Sequence, residues 1–289
     1  MCNFVLNYVA KIRKNHMAGM KQEDKITEKP SKYDNLDKLG VTEILKYIND
    51  EDRLVAEAVS RSLPMVGNLV EAIEPRMRQG GRLFYVGAGT SGRLGVLDAS
   101  ELPPTFGVPD TWVVGLIAGG DRALRHAVEN AEDDTEQAWA DLAPYCPTPD
   151  DSLIGIAASG TTPYVIGAVA KAREMGMVTG CITSNPGSPL ADAAQYAIET
   201  IVGPEFVTGS SRMKSGTAQK MVLNMISTTL MIRLGRVQGN RMVNMQLTNA
   251  KLVDRGTRMI EDSLGVGYEE AREMLLKAGS VKKAMERCR

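Results

Sequence analysis

Residues 82–92 read RLFYVGAGTSG, an apolar run that ends in a turn rich in glycine and hydroxyl groups. The apolar run predicts a buried strand, and the segment after the turn has helical periodicity. A strand that passes through such a turn into a helix is typical of parallel sheets, in which helical crossovers cover both faces. This stretch therefore predicts an α/β fold.

The same alternation of strands and helices continues to residue 236. Strands are predicted in four further apolar runs, which read TWVVGLIAG (111–119), DSLIGIAAS (151–159), GMVTGCITS (176–184) and YAIETIVG (196–203). Helices are predicted near residues 92–100, 121–142, 163–175, 188–194 and 214–235. With right-handed crossovers, the pattern predicts a three-layer αβα domain around a mainly parallel sheet of about five strands.

Composition and periodicity divide the chain into four parts. We expect a poorly ordered N-terminal extension (1–25), an arm with helices that pack on the core (26–80), the sheet domain (81–236) and a small helical C-terminal domain (237–289). Within the second part, Thr42 is predicted to cap a short helix and Asp50 to open a longer one that reaches residue 79. Pro64 is predicted to break or kink that longer helix.

The bulk composition excludes several classes of function. The formal net charge of -1 argues against a nucleic acid partner, which would require a clustered excess of Lys and Arg. Four scattered cysteines, without a Cys-x-x-Cys pair, predict neither a zinc site nor a disulfide framework. Two histidines leave few ways to build a metal site or a Ser-His-Asp triad. Since no apolar run is long enough to span a membrane, we expect a cytoplasmic protein.

Three of the predicted strands end in loops that share glycine, serine and threonine and that precede a helix. Glycines let a ligand approach the backbone, hydroxyls donate to oxygens, and a helix N-terminus favours an anion. The loops therefore predict a phosphate site formed by Gly89, Thr90, Ser91, Gly92, Arg93, Ser159, Gly160, Thr161, Thr162, Ser184 and Asn185. A fourth cluster, in residues 208–220, adds Ser210, Ser211, Lys214 and Lys220 as candidate ligands.

Two other interpretations of these loops stay open. Gly87, Gly89 and Gly92 also satisfy the G-x-G-x-x-G pattern of dinucleotide-binding folds, which is a weak signal by itself. The next predicted strand ends in Ile117–Gly120 without an acid to hold a ribose, which favours a sugar phosphate instead. Alternatively, the serines and threonines act only as helix caps.

Because histidine is scarce, carboxylates are the main candidates for proton transfer. Glu101 lies in the segment DASELPP (98–104), at the end of the helix that follows the first of these loops. A second acidic set lies on the helix predicted after Asp121 and comprises Glu129, Glu132, Asp133 and Asp134. Composition alone does not choose among these acids.

Five blocks of the sequence carry a resemblance to a known family. They read GAGTSGRLGVLDASELPPTF (87–106), GGDRALRHAVENAEDD (119–134), IAASGTTPYV (156–165), TGSSRMKSGTAQKMVLNM (208–225) and GNRMVNMQLTNAKL (239–252). These blocks resemble the N-acetylmuramic acid 6-phosphate etherases of the sugar isomerase (SIS) superfamily, which are related to glucokinase regulatory protein. The resemblance implies an SIS fold, no metal or organic cofactor, and a homodimer with residues of both subunits near the ligand.

The resemblance also implies a reaction. The etherases cleave the D-lactyl ether of N-acetylmuramic acid 6-phosphate to give N-acetylglucosamine 6-phosphate and D-lactate. The family's proton donor falls on Glu101 and its second catalytic glutamate on Glu132. We therefore expect Glu101 to protonate the departing lactate and Glu132 to remove the proton from C2.

Two competing functions remain: a non-catalytic regulator that binds a sugar phosphate, and a sugar-phosphate isomerase on the same fold. The presence of both glutamates favours the etherase over the regulator. Only the resemblance speaks against the isomerase.

Overall fold

The structure, a computed structural model, describes residues 25–287 of the chain. The strands are β1 (Leu83–Gly87), β2 (Val113–Ile117), β3 (Ser152–Ile156), β4 (Val178–Thr183) and β5 (Tyr196–Glu199). The helices before β4 are α1 (Val41–Ser60), α2 (Leu63–Arg78), α3 (Gly89–Phe106), α4 (Arg122–Arg125), α5 (Gln137–Leu142) and α6 (Pro163–Glu174). The later helices are α7 (Pro189–Ala193), α8 (Lys214–Arg233), α9 (Ala250–Leu264), α10 (Tyr268–Ala278) and α11 (Val281–Glu286).

The sheet has five strands in the order β2-β1-β3-β4-β5, and every neighbouring pair is parallel. All residues of β1 and β3 are buried, because helices cover both faces of the sheet. The predicted strands and the three-layer αβα architecture are confirmed.

Alternate residues of β1 enter two separate hydrophobic cores, as the period of two in a strand requires. Leu83 and Tyr85 pack with α1, α2 and α8 on one face. Phe84 and Val86 pack with α5 and α6 on the other face. The sheet is therefore held rigidly from both sides, which fixes the positions of the loops at its edge.

The predicted boundaries of the N-terminal helices are partly wrong. α1 begins after Gly40 and runs through Asp50 without a break, so the predicted short helix and the start of the longer one form a single element. Its buried residues all lie after that point, with Val55 and Val59 in the core. The predicted break at Pro64 is confirmed, since α2 starts one residue earlier and holds the proline where a missing N–H costs no helical hydrogen bond.

The helix predicted over residues 121–142 is also wrong. Only α4 and α5 are helical, and residues 126–136 form turns between them. Asn130 adopts a left-handed backbone conformation with φ of 59°, which interrupts a helix. The turn is instead shaped by tertiary packing, because Val128 approaches so closely that a Cβ on Gly119 would stand 2.8 Å from it.

The C-terminal helices α9, α10 and α11 surround a small core of their own that includes Ile260 and Leu275. The amide of Gln246 donates to the carbonyl oxygen of Pro104 at 3.1 Å, which connects this region to the end of α3. The expectation of a poorly ordered extension over residues 1–25 lies, apart from Lys25, outside the described residues. Within residues 25–287, no helix combines the length and apolar character that a membrane span needs.

Candidate functional site

Parallel pairing places the carboxyl ends of β1, β3 and β4 side by side at one edge of the sheet. Three predicted ligand loops meet there: the first loop (88–92), the second loop (157–162) and the third loop (184–188). Ligands of open α/β sheets bind at this edge. The structure thus brings the loops together, although their side chains differ in what they can do.

Only Ala88 of the first loop precedes α3, because residues 89–92 form the first turn of that helix. Gly92 lies against the sheet, because a Cβ there would stand 2.6 Å from a side-chain atom of β2. Ser91 is buried and its hydroxyl donates to Oε1 of Gln219 at 2.9 Å. Ser91 and Gly92 therefore fasten the loop, which leaves Gly89 and Thr90 as its accessible residues.

The second loop presents hydroxyl groups at the edge. Gly160 has φ of 67°, and this left-handed conformation turns the chain between Ser159 and the helix that follows. The amide and hydroxyl of Thr161 each lie 3.2 Å from Oγ of Ser159. Thr162 is the N-cap residue of α6, but its side chain makes no capping hydrogen bond. These three hydroxyls are half-buried, which suits them to binding an oxyanion.

The third loop has a structural role that the sequence did not indicate. Asn185 is fully buried, and its Nδ2 donates to the carbonyl oxygens of Ala158 and Ser159 at 3.1 and 3.2 Å. Its Oδ1 accepts the amide of Ile26 at 2.6 Å. Ser184 is buried as well. These two predicted ligands hold the second loop and the N-terminal arm in place, rather than lining an open cavity.

Lys214 has an ionic partner that the sequence did not predict. It is buried at the start of α8, and its Nζ lies 2.6 Å from Oε2 of Glu51, which Lys32 contacts as well. Burial alone would raise the pKa of Glu51, but hydrogen bonds from the two lysines hold that pKa below its usual value. The charge of Lys214 is therefore neutralised inside the protein. Ser210 and Ser211, in the preceding turn, are half-buried.

Glu132 is held by its backbone. Its carbonyl oxygen accepts the amide of Tyr164, in the first turn of α6, at 3.0 Å. Three residues further on, the carbonyl oxygen of Thr135 lies so close to α6 that a Cβ on Gly167 would stand 1.9 Å from it. The turn that carries Glu132 is thus fixed to the helix that follows the second loop.

Glu132 lines a cavity of ≈ 210 Å³ together with Gly89 and Arg93. The guanidinium of Arg93 donates to the carbonyl oxygen of Ala123 at 2.6 Å, which connects α3 to α4. Glu129 lines the same cavity.

Of the other acids, Asp134 has a structural role, because its Oδ1 accepts the amides of Glu136 and Gln137 at 2.8 and 3.2 Å. The structure therefore separates the acids that composition could not distinguish. Glu132 and Glu129 face a candidate site, and Asp134 stabilises the start of α5.

Glu101 lies in a different cleft, of ≈ 240 Å³, between α3 and α8. Lys220, Asn224 and the buried Asp98 line the same cleft. Asp98 accepts hydrogen bonds from Nδ2 of Asn224 at 2.8 Å and from Oγ of Ser227 at 3.1 Å. Burial nevertheless raises the pKa of Asp98 above its usual value.

The two predicted catalytic glutamates line different clefts. A helix was predicted near residues 92–100, whereas α3 runs from Gly89 to Phe106 and so continues beyond Glu101. Glu101 lies about 18 Å further along the helix axis than Gly89 and about 120° around it. The chain therefore has two separate clefts, one lined by Glu132 and the other by Glu101.

Comparison with known proteins identifies the family of this chain. The chain is 68% identical to a protein named N-acetylmuramic acid 6-phosphate etherase from Porphyromonas gingivalis, over 91% of this chain and 96% of that protein. It is 66% identical to a protein of the same name from Bacteroides thetaiotaomicron, over 91% of this chain and 95% of that protein. This chain belongs to the N-acetylmuramic acid 6-phosphate etherase family.

Three family models match parts of this etherase-family chain. The model of the SIS domain matches residues 128–228, and the N-terminal SIS domain of glucokinase regulatory protein matches residues 65–173. The C-terminal lid domain of glucokinase regulatory protein matches residues 239–286. A crystal structure of a Bacteroides fragilis protein, described as a phosphosugar isomerase candidate involved in capsule formation, aligns with a TM-score of 0.53. It is 23% identical and covers 70% of this chain and 95% of that chain, which supports the fold alone.

Sequence reasoning missed two residues of this etherase-family chain that lie at the candidate site. Lys25 was assigned to the extension, yet its Nζ donates to Oγ1 of Thr161 at 3.0 Å. No local signal predicts that contact, because it joins residues 136 positions apart. The sequence does contain a signal for Asp98, because it precedes Glu101 by about one helical turn in the DASE segment and so shares a helix face with it. Among residues 25–287, no group of three or more His, Cys, Asp or Glu is placed to hold a metal ion.

Proposed function

We propose that this chain is a cytoplasmic carbon–oxygen lyase that converts N-acetylmuramic acid 6-phosphate and water to N-acetylglucosamine 6-phosphate and D-lactate. The observation that supports the proposal is that Glu132, whose carbonyl oxygen accepts the amide of Tyr164, lines the same cavity as Gly89. The name of relatives that are 68% and 66% identical supports the same reaction.

The chemistry requires a base and an acid. Opening of the sugar ring exposes an aldehyde at C1, which acidifies the hydrogen on C2. Glu132 takes that proton, the bond between C3 and the lactyl oxygen breaks, and the leaving oxygen receives a proton from Glu101. Water then adds to C3 of the unsaturated aldehyde as Glu101 removes its proton, and C2 regains a proton from Glu132. The sum is cleavage of the ether with consumption of one water molecule.

The residues around Glu132 and Glu101 suit the proposed role of each carboxylate. Glu132 shares its cavity with Gly89 and Arg93, so the base lies near the loop that we propose binds the phosphate. Glu101 shares its cleft with Lys220 and the buried Asp98. A cation beside Glu101 can stabilise the carboxylate that forms once its proton has gone to lactate.

The proposal includes a homodimer, in which Glu101 of one chain completes the site that contains Glu132 of the other. The surface around Glu101 supports this assembly, because Leu97, one turn earlier on α3, is 50% exposed. On α1, Val41 and Leu45 are 75% and 62% exposed. A contact across these helices would bury apolar surface that water now covers.

The reaction and the two roles are tested by D-lactate release and by exchange of the C2 hydrogen with deuterated water. Glu101→Gln should lower lactate release by about 10²–10⁴-fold while C2 exchange continues. Glu132→Gln should lose both by a similar factor of about 10²–10⁴. Asp133→Asn, a neighbouring exposed acid, serves as the matched control and should keep both. Exchange that stops in Glu101→Gln and persists in Glu132→Gln would reverse the two roles.

A regulator that binds a sugar phosphate without cleaving it is the second candidate. The matches to two domains of glucokinase regulatory protein favour it. The wild-type chain distinguishes the two functions: stoichiometric binding of the 6-phosphorylated muramic sugar without D-lactate would leave the regulator as the function.

A further inference from the structure

The N-terminal arm, residues 25–35, lies across the edge of the sheet and is anchored on Asn185. The Oδ1 atom of Asn185 accepts the amides of Ile26 and Thr27 at 2.6 and 3.3 Å. Its Nδ2 donates to Oγ1 of Thr27 at 3.0 Å. Asn185 and Thr27 are both buried, so breaking these bonds would leave polar groups without partners. The position of the arm is therefore fixed as firmly as that of the loops.

A second anchor lies further along the arm. The amide of Ser31 donates to Oγ1 of Thr208 at 2.9 Å. The hydroxyl of Tyr33 donates to Oε1 of Glu51, the same carboxylate that pairs with the buried Lys214, at 3.2 Å. The arm is thus held at both ends, and the residue that precedes Ile26 has a defined position at the loops.

That residue is Lys25, whose ammonium donates to Oγ1 of Thr161 at 3.0 Å. An ammonium has three N–H donors, and this contact uses one of them. Among the described residues, no carboxylate forms an ion pair with Lys25. The contact therefore brings a positive charge to hydroxyls that we propose bind a phosphate.

The second loop needs such a charge. Residues 157–163 read AASGTTP and contain no charged side chain. A phosphate monoester carries a charge of about -1.5 to -2 near pH 7, and charge-assisted hydrogen bonds to it are about twice as strong as neutral ones. The predicted cation Lys214 is neutralised by Glu51, and Lys220 lies in the cleft of Glu101. Arg93 uses donors of its guanidinium on two backbone carbonyls.

We propose that Lys25 is a phosphate-binding residue, and that the arm is part of the substrate site rather than only a structural extension. In this assignment, Nζ of Lys25 binds a non-bridging oxygen of the 6-phosphate, beside the hydroxyls of Ser159 and Thr161. The proposal rests on the proposed function for the identity of the sugar, but only on the loop chemistry for the phosphate. It makes Lys25 a determinant of preference for phosphorylated over unphosphorylated sugars.

The test uses three variants of the whole chain. Lys25→Met removes the charge and keeps most of the side-chain length, Lys25→Arg keeps a charge, and Lys29→Met removes an exposed lysine of the same arm. Two quantities are measured at fixed ionic strength: the steady-state kcat and KM for the 6-phosphorylated muramic sugar, and the Kd of N-acetylglucosamine 6-phosphate and of inorganic phosphate by calorimetry. Unphosphorylated N-acetylglucosamine is the matched ligand without the anion.

We expect Lys25→Met to raise KM and the Kd of both phosphate ligands by about tenfold, with kcat changed by less than about threefold. Lys25→Arg should stay within about threefold of wild type, and Lys29→Met should match wild type. The Kd of the unphosphorylated sugar should not change. Wild-type affinity for phosphate should also fall more steeply with added salt than that of Lys25→Met, because screening weakens a charge contact.

If Lys25 only anchors the arm and takes no part in binding, a different result is expected. Lys25→Met would then lower the Tm and leave both Kd values equal to those of Lys29→Met, which would refute the proposal. The outcome also separates this proposal from the proposed reaction. Wild-type chain that binds phosphate through Lys25 without releasing lactate would refute the reaction alone, whereas lactate release with an unchanged KM in Lys25→Met would refute the role of Lys25 alone.

Discussion

The amide of Tyr164 donates to the carbonyl oxygen of Glu132 at 3.0 Å. This bond uses one of the free N–H groups at the start of α6, the helix that follows the hydroxyl-rich second loop. The bond therefore connects the turn that carries Glu132 to the start of α6, directly after the proposed phosphate loop. A displacement of the turn should change the position of the carboxylate without disturbing the sheet.

Gly167→Ala tests that connection. A Cβ at this position would stand 1.9 Å from the carbonyl oxygen of Thr135, so the turn that carries Glu132 must shift. We expect kcat to fall by about 10- to 100-fold, since a displacement near 1 Å of a reacting group costs rates of this order. The measurement is the initial rate of D-lactate release.

The control for this variant is Gly67→Ala, in α2, where a Cβ would meet no atom within 4 Å. Alanine favours a helix over glycine by about 0.5–1 kcal/mol, so this change should raise the Tm slightly and leave the rate unchanged. Wild-type kcat in Gly167→Ala would show that the turn does not control the position of the base.

Mixing two inactive variants tests the shared site. If Glu101 of one chain completes the site of the other, a hybrid dimer of Glu101→Gln and Glu132→Gln contains one intact site and one doubly altered site. Random mixing of equal amounts should restore about a quarter of wild-type activity. The measurement is the rate of D-lactate release after unfolding and refolding the mixture.

Separately refolded variants, mixed only just before the assay, provide the baseline. Mass spectrometry verifies that the subunits have exchanged in the co-refolded sample. If its activity nevertheless stays at this baseline, both glutamates belong to a site formed by one chain.

Glu51→Gln should destabilise the fold. The change leaves the ammonium of Lys214 buried without a carboxylate, which typically costs about 3–5 kcal/mol. The folded state holds the pKa of Glu51 below its usual value, so the stability that Glu51 contributes is complete above the unfolded pKa. That contribution is lost as the pH falls through the folded pKa. The difference in unfolding free energy between wild type and variant should therefore be large at neutral pH and shrink in acid.

Glu57→Gln is the matched control on the same helix. Glu57 is 72% exposed and pairs with Arg61 at 3.4 Å, so its loss should change the unfolding free energy by less than about 1 kcal/mol. Urea denaturation at several pH values measures both variants. An equal effect of the two changes would show that the buried pair makes no special contribution.

Cys181 should be unreactive while the protein is folded. Burial raises the pKa of its thiol to about 12, so almost no thiolate forms near pH 8. Cys146 is exposed and should react with a thiol reagent much faster. In a variant that keeps Cys181 and replaces the other cysteines by serine, labelling should follow global unfolding in urea, and rapid labelling without urea would contradict this expectation.

Much of the fold could be predicted because it depends on local patterns. Each apolar run from β1 to β5 is bounded by turn residues, and the break before Pro64 follows from the chemistry of one residue. The turn over residues 126–136 could not be predicted, because its acidic and apolar residues have helical spacing. Contacts of the turn with Gly119, just before it, and with Gly167, 32 residues beyond Thr135, overrule that spacing.

The candidate site could likewise be predicted only in part. The hydroxyls of Ser159 and Thr161 were predicted from a loop that precedes a helix. The burial of Asn185 was not predictable from the sequence. This residue has a side chain suited to binding a ligand, but it is buried and anchors the arm. Nor does the sequence reveal that Lys214 meets Glu51, since the pair depends on the packing of α1 against α8.

The length of α3 between Gly89 and Glu101 has a consequence for how catalysis depends on concentration. If a second chain must supply Glu101, turnover per mole of protein is proportional to the fraction of paired chains and falls upon dilution below the dissociation constant of the dimer. An isolated chain then has every catalytic residue and a complete hydrophobic core, but no site in which a substrate meets both carboxylates. The enzyme would be regulated by mass action on its own subunits.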